Sequence, residues 1–210
     1  MITIKNVFSL RVLLHLLSVG PVLWLSYQVW LWLNGIPHVL TANPIEYITD
    51  FTGRGTVRML LITLCVTPLA KFTKWRILKY RRLLGLYAFL YGLLHFLNYM
   101  VLDYFFDWEL IIEDVLERKA ITFGMIAFVA LIPLAVTSFK FMMKKMGKNW
   151  QKLHRLIYII TILAVTHNYM MVKADVLIPT IHAIILAVLL SYRVYVNWLK
   201  YKTSDNKRMA

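Results

Sequence analysis

Apolar residues run through the chain in six long stretches that short polar segments separate. The stretches cover about residues 12–33, 52–70, 83–102, 121–139, 156–172 and 176–192. A helix needs about 20 mostly apolar residues to cross about 30 Å of hydrocarbon. The pattern therefore predicts an all-α, polytopic integral membrane protein in which residues 1–210 form one transmembrane domain. The second stretch reaches this length only if Arg54 and Arg58 extend their side chains toward the membrane surface.

One segment, residues 103–119, has a different pattern. Phe105, Trp108, Ile112 and Val115 recur at helical spacing on an acidic background. An amphipathic helix of this kind favours the surface of the membrane rather than its interior. We expect an interfacial helix there.

Composition supports the membrane assignment and limits the chemistry. The chain is 60% hydrophobic and carries a net charge of +14. Basic excess in a membrane protein indicates orientation more than nucleic-acid binding, because Lys and Arg accumulate in cytoplasmic loops. A single cysteine, Cys65, excludes both an intrachain disulfide and a CxxCH haem attachment.

The charged residues also predict the orientation of the six spans. The two termini and two basic loops carry 19 Lys and Arg, whereas the opposite side carries five. Nine of the ten carboxylates fall on that opposite side. The positive-inside rule then places both termini in the cytoplasm and residues 103–119 on the outer face.

Histidines inside spans are the strongest chemical signal, because ionisable groups in hydrocarbon are costly and commonly functional. His95 on the third span and His167 on the fifth lie at similar depth in the outer half, on helices of the same direction. This arrangement suits two axial ligands of one haem iron. Helix packing through hydrogen-bonded histidines is the alternative.

A second group lies near the cytoplasmic side. His154 and His167 would face different sides of one straight helix and cannot bind the same iron. His154, with His15 on the first span as a partner, is a candidate for an inner cofactor, either a second haem or a flavin. Arg81, Arg82 and Lys152 could hold a flavin phosphate. Alternatively, His154 and His15 lie at the membrane surface without a cofactor, and the basic residues only set the orientation of the spans.

Several segments together resemble a known family. They are DFTGR before the second span, TPLA at its end, RRLLGL at the start of the third, and GKNWQKLHRLIYIITILAVTH around the fifth. With His95, they resemble the MsrQ family, the haem-binding membrane subunits of bacterial periplasmic protein-methionine-sulfoxide reductase systems. That family belongs to the ferric-reductase-like transmembrane proteins of cytochrome b type.

The resemblance implies a six-helix bundle that holds haem b, uses FMN and passes electrons across the inner membrane. The acceptor would be a periplasmic molybdopterin methionine sulfoxide reductase that repairs oxidised envelope proteins. The donor would be a quinol or a cytoplasmic flavin reductase. His95, His154 and His167 match the histidines of the family. Two-haem relatives carry two histidines on the third span, whereas this chain has one there.

Two other functions remain open at this stage. No nicotinamide-binding motif or P-loop is present, so the chain is expected to be an electron-transfer subunit without substrate reduction of its own. A stand-alone transmembrane ferric reductase would share the haem. A transporter that uses its histidines as proton relays would lack haem.

Overall fold

The computed structural model describes residues 4–172 and 175–209, and within these ranges the chain folds entirely into helices and turns. There are nine α-helices in these ranges: α1 (Ile4–Leu33), α2 (Pro44–Thr73), α3 (Arg81–Asn98), α4 (Trp108–Glu117), α5 (Lys119–Val136), α6 (Lys140–Met146), α7 (Lys148–His154), α8 (Ile157–Met171) and α9 (Leu177–Met209). A 3-10 turn at Leu78–Tyr80 leads into α3, and a π-helical turn at Tyr99–Asp103 continues it. The all-α prediction is confirmed.

Five segments of the described chain are long and apolar enough to cross a membrane. They are Leu10–Leu33, Pro44–Thr73, Leu78–Asp103, Lys119–Val136 and Leu177–Thr203. The remaining expected span, the fifth, corresponds to α8, which has 15 residues and a length of about 22 Å. Only Arg155 and Leu156 separate it from α7. The number of six spans stays a prediction.

Helix α2 begins well before the expected span because its N-terminus carries three capping signals. The side chain of Asn43 accepts a hydrogen bond from the Glu46 amide (3.3 Å) and donates one to the Glu46 carboxylate (3.2 Å). Pro44 occupies the first helical position, where a missing N–H costs nothing. The first of these bonds satisfies one of the backbone amides that the first turn leaves unpaired. Residues 44–51, which resemble a loop by polarity, are therefore helical.

Two antiparallel helix pairs form the centre of the bundle. In the first pair, α2 and α3, Asn98 donates a hydrogen bond to Thr52 across the interface (3.1 Å). In the second pair, α5 and α8, the ring of His167 lies beside Ala120 at the start of α5. The rings of Phe96 on α3 and Phe128 on α5 stack 4.6 Å apart and join the two pairs.

Helix α1 attaches to this centre through a buried tyrosine. The hydroxyl of Tyr91 on α3 donates to the carbonyl oxygen of Ser18 on α1 (3.0 Å), and both residues are 2% exposed. Gly55 makes room for the aromatic ring, because a Cβ at that position would overlap it. The small residue lets α2 and α3 approach closely, as helices in membranes commonly do.

The exposed surface of the bundle is apolar where a water-soluble protein would be polar. Leu13, Leu16, Leu17 and Leu23 of α1 are exposed, whereas Ser18 on the same helix is buried. In hydrocarbon, polar groups must find partners inside the protein while leucines can face lipid without cost. This distribution fits the membrane protein that the sequence predicts.

Helix α4 lies outside the candidate spans and packs against the bundle through one side. Ile111 is 5% exposed, whereas Trp108, Ile112 and Leu116 are exposed. The predicted apolar stripe grouped Val115 with Trp108 and Ile112; in the structure Val115 is half-buried on the side of Ile111.

The Asp114 carboxylate ties α4 to the end of α3. It accepts a hydrogen bond from the Tyr99 hydroxyl (2.8 Å) and forms an ion pair with Arg118. Burial raises the pKa of Asp114, but the hydrogen bonds from Arg118 and Tyr99 outweigh burial, so the net pKa lies below its ordinary value of 3.8.

Because the pKa of Asp114 is lowered in the folded state, its contribution to the docking of α4 is present at neutral pH. It is lost as the pH falls through that lowered pKa, below about 4. We expect amide-exchange protection of α4, corrected for intrinsic rates, to fall as the pH is lowered below about 4. Asp114→Asn should show reduced protection already at pH 7. The exposed Glu113→Gln is the control, and equal behaviour of the two variants would contradict the prediction.

Candidate functional site

Two imidazole rings meet between the helix pairs, one from each pair. His95 of α3 and His167 of α8 have ring centres 6.1 Å apart, with the planes at 67°. A metal–imidazole bond is about 2 Å and the ring centre lies about 1 Å beyond the nitrogen, so two rings on opposite sides of one metal have centres about 6 Å apart. The observed separation matches that requirement.

The hydrogen bonds of both rings leave the same nitrogen free. Nδ1 of His95 lies 2.9 Å from the carbonyl oxygen of Thr49, and Nδ1 of His167 lies 2.6 Å from that of Ala120. A carbonyl oxygen can only accept, so each Nδ1 carries the proton and donates it. In the neutral rings Nε2 then keeps its lone pair, which is the state that a metal ligand needs.

A glycine opposite each ring makes these positions accessible. A Cβ on Gly53 of α2 would lie 2.9 Å from a ring carbon of His95. A Cβ on Gly124 of α5 would lie 2.8 Å from Nδ1 of His167. Any larger residue would push the rings away from their carbonyl partners.

The donor set therefore fits a haem. Haem iron takes four nitrogens from its own macrocycle and needs the protein for axial ligands, for which histidine is a common choice. The paired nitrogens, the carbonyl anchors and the two glycines supply that arrangement. Haem ligation by His95 and His167 stays a prediction.

A second polar group lies beside this pair. His182 of α9 is 5% exposed, and its Nδ1 lies 3.4 Å from the side-chain oxygen of Asn168, the residue after His167. Arg54 and Arg58 of α2 are close enough to act on it electrostatically. Arg54 also forms an ion pair with Asp50. Asn168 thus connects His182 of α9 to the helix that carries His167.

His154 is held differently from the outer histidines. Its Nε2 lies 3.1 Å from the hydroxyl of Thr137, which donates its own proton to the Pro133 carbonyl, so Nε2 is the donor. Its ring stacks on Trp150 with centres 4.0 Å apart. Burial, and then the positive charge of Arg81, lower the pKa of His154 below its ordinary value. The ring is therefore neutral at physiological pH.

The structure gives His15 a partner other than His154. Its Nδ1 lies 2.6 Å from the hydroxyl of Tyr87 on α3, and the two rings meet edge to face. The contacts of His154 are with Thr137 and Trp150. The pairing of His15 with His154 around one cofactor stays a prediction.

The three basic residues predicted near the inner side fall into two classes. Arg82 and Lys152 are exposed, whereas Arg81 is half-buried and lies near His154. A residue that the sequence reasoning assigned to the C-terminal tail, Arg193 of α9, lies close to Arg81 instead. Its position inside the apolar run AVLLSYRVYV was the available signal, since an arginine within such a run is costly unless it has a partner.

Comparison with protein families places these residues in a known group. Residues 52–165 match the model of the family described as "Ferric reductase like transmembrane component". This matched region contains His95 and His154, and His167 lies two residues beyond its end. No solved structure matches the chain.

Curated relatives carry the name "Protein-methionine-sulfoxide reductase heme-binding subunit MsrQ". The protein from Xanthomonas axonopodis pv. citri (strain 306) is 41% identical over 92% of this chain and 89% of its own length. The protein from Herminiimonas arsenicoxydans is 46% identical over 81% of this chain and 79% of its own length. The protein from Azospira oryzae is 41% identical over 91% of this chain and 81% of its own length. The chain belongs to the MsrQ family, within the ferric-reductase-like transmembrane proteins.

Proposed function

We propose that this chain is a haem b membrane subunit that carries electrons across the inner membrane to a periplasmic molybdopterin methionine sulfoxide reductase. The observation that carries the proposal is the outer pair of imidazoles, whose ring separation of 6.1 Å suits two ligands of one iron. The relatives' names, which specify a heme-binding subunit of a protein-methionine-sulfoxide reductase, support it. The reductase would use the electrons to repair oxidised methionines in envelope proteins.

A bound haem supplies one-electron transfer, and the residues of the chain set its position. Thr49 and Ala120 orient the two imidazoles through their carbonyl oxygens. Gly53 and Gly124 keep the space beside the rings open. With both termini in the cytoplasm, this pair lies in the outer half of the membrane, on the side of the proposed acceptor.

An inner carrier near His154 would connect the outer haem to the cytoplasmic side. The hydrocarbon layer is about 30 Å thick, so a haem in its outer half is far from a donor on the cytoplasmic side. A second electron carrier between the two would shorten the distance of each transfer. FMN, or a second haem b, is proposed for this position, with the half-buried Arg81 as a contact of a flavin phosphate. A quinol or a cytoplasmic flavin reductase is the proposed donor.

The outer face of α4 is the proposed docking surface for the periplasmic partner. Glu109, Glu113 and Glu117 are exposed and recur every four residues, so they form one acidic stripe on the helix. It lies next to the exposed apolar stripe of Trp108, Ile112 and Leu116. Asp114 is excluded from this stripe because Tyr99 and Arg118 occupy it.

A stand-alone ferric reductase is the second candidate, and the family model that matches residues 52–165 favours it. It would share the haem but deliver electrons to chelated iron without a protein partner. Turnover of chelated ferric iron that does not change when the periplasmic reductase is added would favour this candidate. A histidine-relay transporter would instead purify without haem.

The first test is the spectrum of the purified protein. We expect a low-spin b-type haem spectrum in the parent that is lost in His95→Ala and His167→Ala, since each substitution removes one axial ligand. His38→Ala, on the loop before α2, is the control. A pyridine haemochrome assay gives the haem per chain. A parent without haem, despite adequate haem supply, would overturn the proposal.

His154→Ala separates the inner carrier from the outer one. Loss of a second haem, or of flavin, with the outer spectrum intact would support an inner cofactor at His154. Unchanged haem and flavin contents would assign His154 a structural role through Thr137 and Trp150.

Two glycines offer a milder test of the outer site. Gly53→Ala and Gly124→Ala should lower haem occupancy or convert part of the haem to a high-spin form, because the new methyl groups displace the rings of His95 and His167. Gly20→Ala on α1 meets no atom within 4 Å and is the matched control. Full low-spin occupancy in both site variants would show that the rings tolerate displacement and that the glycines are not required.

Charge reversal tests the docking surface. We expect Glu109→Lys, Glu113→Lys and Glu117→Lys together to slow electron transfer to the periplasmic partner about tenfold at low salt, because steering between charged surfaces depends on ionic strength. The difference should shrink at about 0.5 M salt, where screening shortens the range of the charges. Equal rates for parent and variant at low salt would exclude this surface.

A further inference from the structure

Two arginines converge at the end of the bundle where α3 begins. Arg193 of α9 donates a hydrogen bond to the carbonyl oxygen of Leu64 on α2 (3.3 Å), and its guanidinium lies 4.7 Å from the centre of the Tyr158 ring. Arg81 lies within electrostatic range of Arg193 and of His154. Groups from five helices, α2, α3, α7, α8 and α9, thus surround one positively charged region.

One donor in this region has no acceptor. Nε of Arg81 is buried and makes no hydrogen bond within the described part of the chain. A buried charged donor without a partner costs free energy, and structures rarely retain one. Arg193 is already held by Leu64 and Tyr158, so it cannot turn away from Arg81 without losing both contacts.

Among the side chains that the structure describes, no carboxylate forms an ion pair with either arginine. Nine of its ten carboxylates lie in residues 46–50, 103–117 and at 175, which are at the opposite end of the bundle. The tenth, Asp205, lies in the C-terminal tail outside the described side chains. Two guanidiniums close together in a low-dielectric region repel each other unless an anion lies between them.

The geometry points to a phosphate-binding site formed by Arg81 and Arg193. Planar guanidiniums bind phosphate through paired hydrogen bonds, and two of them match the charge of a phosphate monoester. The phosphate could belong to FMN or to a phospholipid headgroup, which share this chemistry. The inference assigns the anion to Arg193 and Arg81 rather than to the exposed Arg82 and Lys152. The assignment of the phosphate to FMN rests on the proposed inner carrier.

The test compares charge-removing variants in the full-length protein in nanodiscs. Arg81→Gln and Arg193→Gln each remove one guanidinium, and Arg193→Lys keeps the charge but not the paired donors. Arg76→Gln and Lys144→Gln remove the same charge from other exposed positions and are the matched controls. FMN affinity is measured by fluorescence in zwitterionic lipid, and retained phosphatidylglycerol is measured by mass spectrometry in mixed lipid.

We expect FMN affinity or phosphatidylglycerol retention to fall about tenfold or more in Arg81→Gln and Arg193→Gln, because each removes charge-assisted hydrogen bonds. The controls should change less than about twofold, as exposed charges do. A loss restricted to FMN identifies the nucleotide as the source, and a loss restricted to phosphatidylglycerol identifies the lipid. Unchanged binding of both, or equal losses in the controls, would overturn the inference.

Haem content, measured on the same samples, separates this inference from the proposed function. The outer haem spectrum should persist in all five variants, because none of these residues contacts His95 or His167. A haem-free parent that still binds FMN or lipid through Arg81 and Arg193 would overturn the electron-transfer proposal and leave the phosphate site standing. Two variants at different positions guard against a folding defect in either one.

Discussion

Every imidazole inside the bundle must find a partner for its N–H, and this constraint organises the site. Hydrocarbon offers no water to satisfy a polar group, so the protein itself must supply the acceptor. For His95 and His167 that acceptor is a backbone carbonyl oxygen on the neighbouring antiparallel helix. The same bond that satisfies Nδ1 leaves the lone pair on Nε2. The stability of the bundle and the availability of Nε2 therefore have one physical cause.

The two helix pairs make this constraint compatible with close packing. Within each pair a glycine faces the histidine, so the backbones approach without a side chain between them. Between the pairs, the stacked rings of Phe96 and Phe128 set the distance of α3 from α5. This packing holds the two imidazoles close together, with ring centres 6.1 Å apart.

The opposite end of the bundle follows a different principle. There the uncompensated groups are cations, and the partners available are an aromatic ring, a carbonyl and a hydroxyl rather than carboxylates. Arg193 illustrates this, since Tyr158 and Leu64 hold its guanidinium in place. His154 stays neutral beside these charges because burial and Arg81 lower its pKa. An end that is rich in fixed positive charge is suited to an anionic ligand from outside the chain.

The sequence by itself determined the all-α class, the membrane environment and the family, because apolar length, charge asymmetry and local motifs are properties of consecutive residues. It also contained the cap of Asn43, Pro44 and Glu46, which explains why α2 begins early. The tertiary structure alone decided which groups meet. Thr49 and Ala120 act through carbonyl oxygens that every residue possesses, so no pattern marks them. The partners of His15, His154 and Arg193 likewise come from distant helices, and only the packing of those helices brings them together.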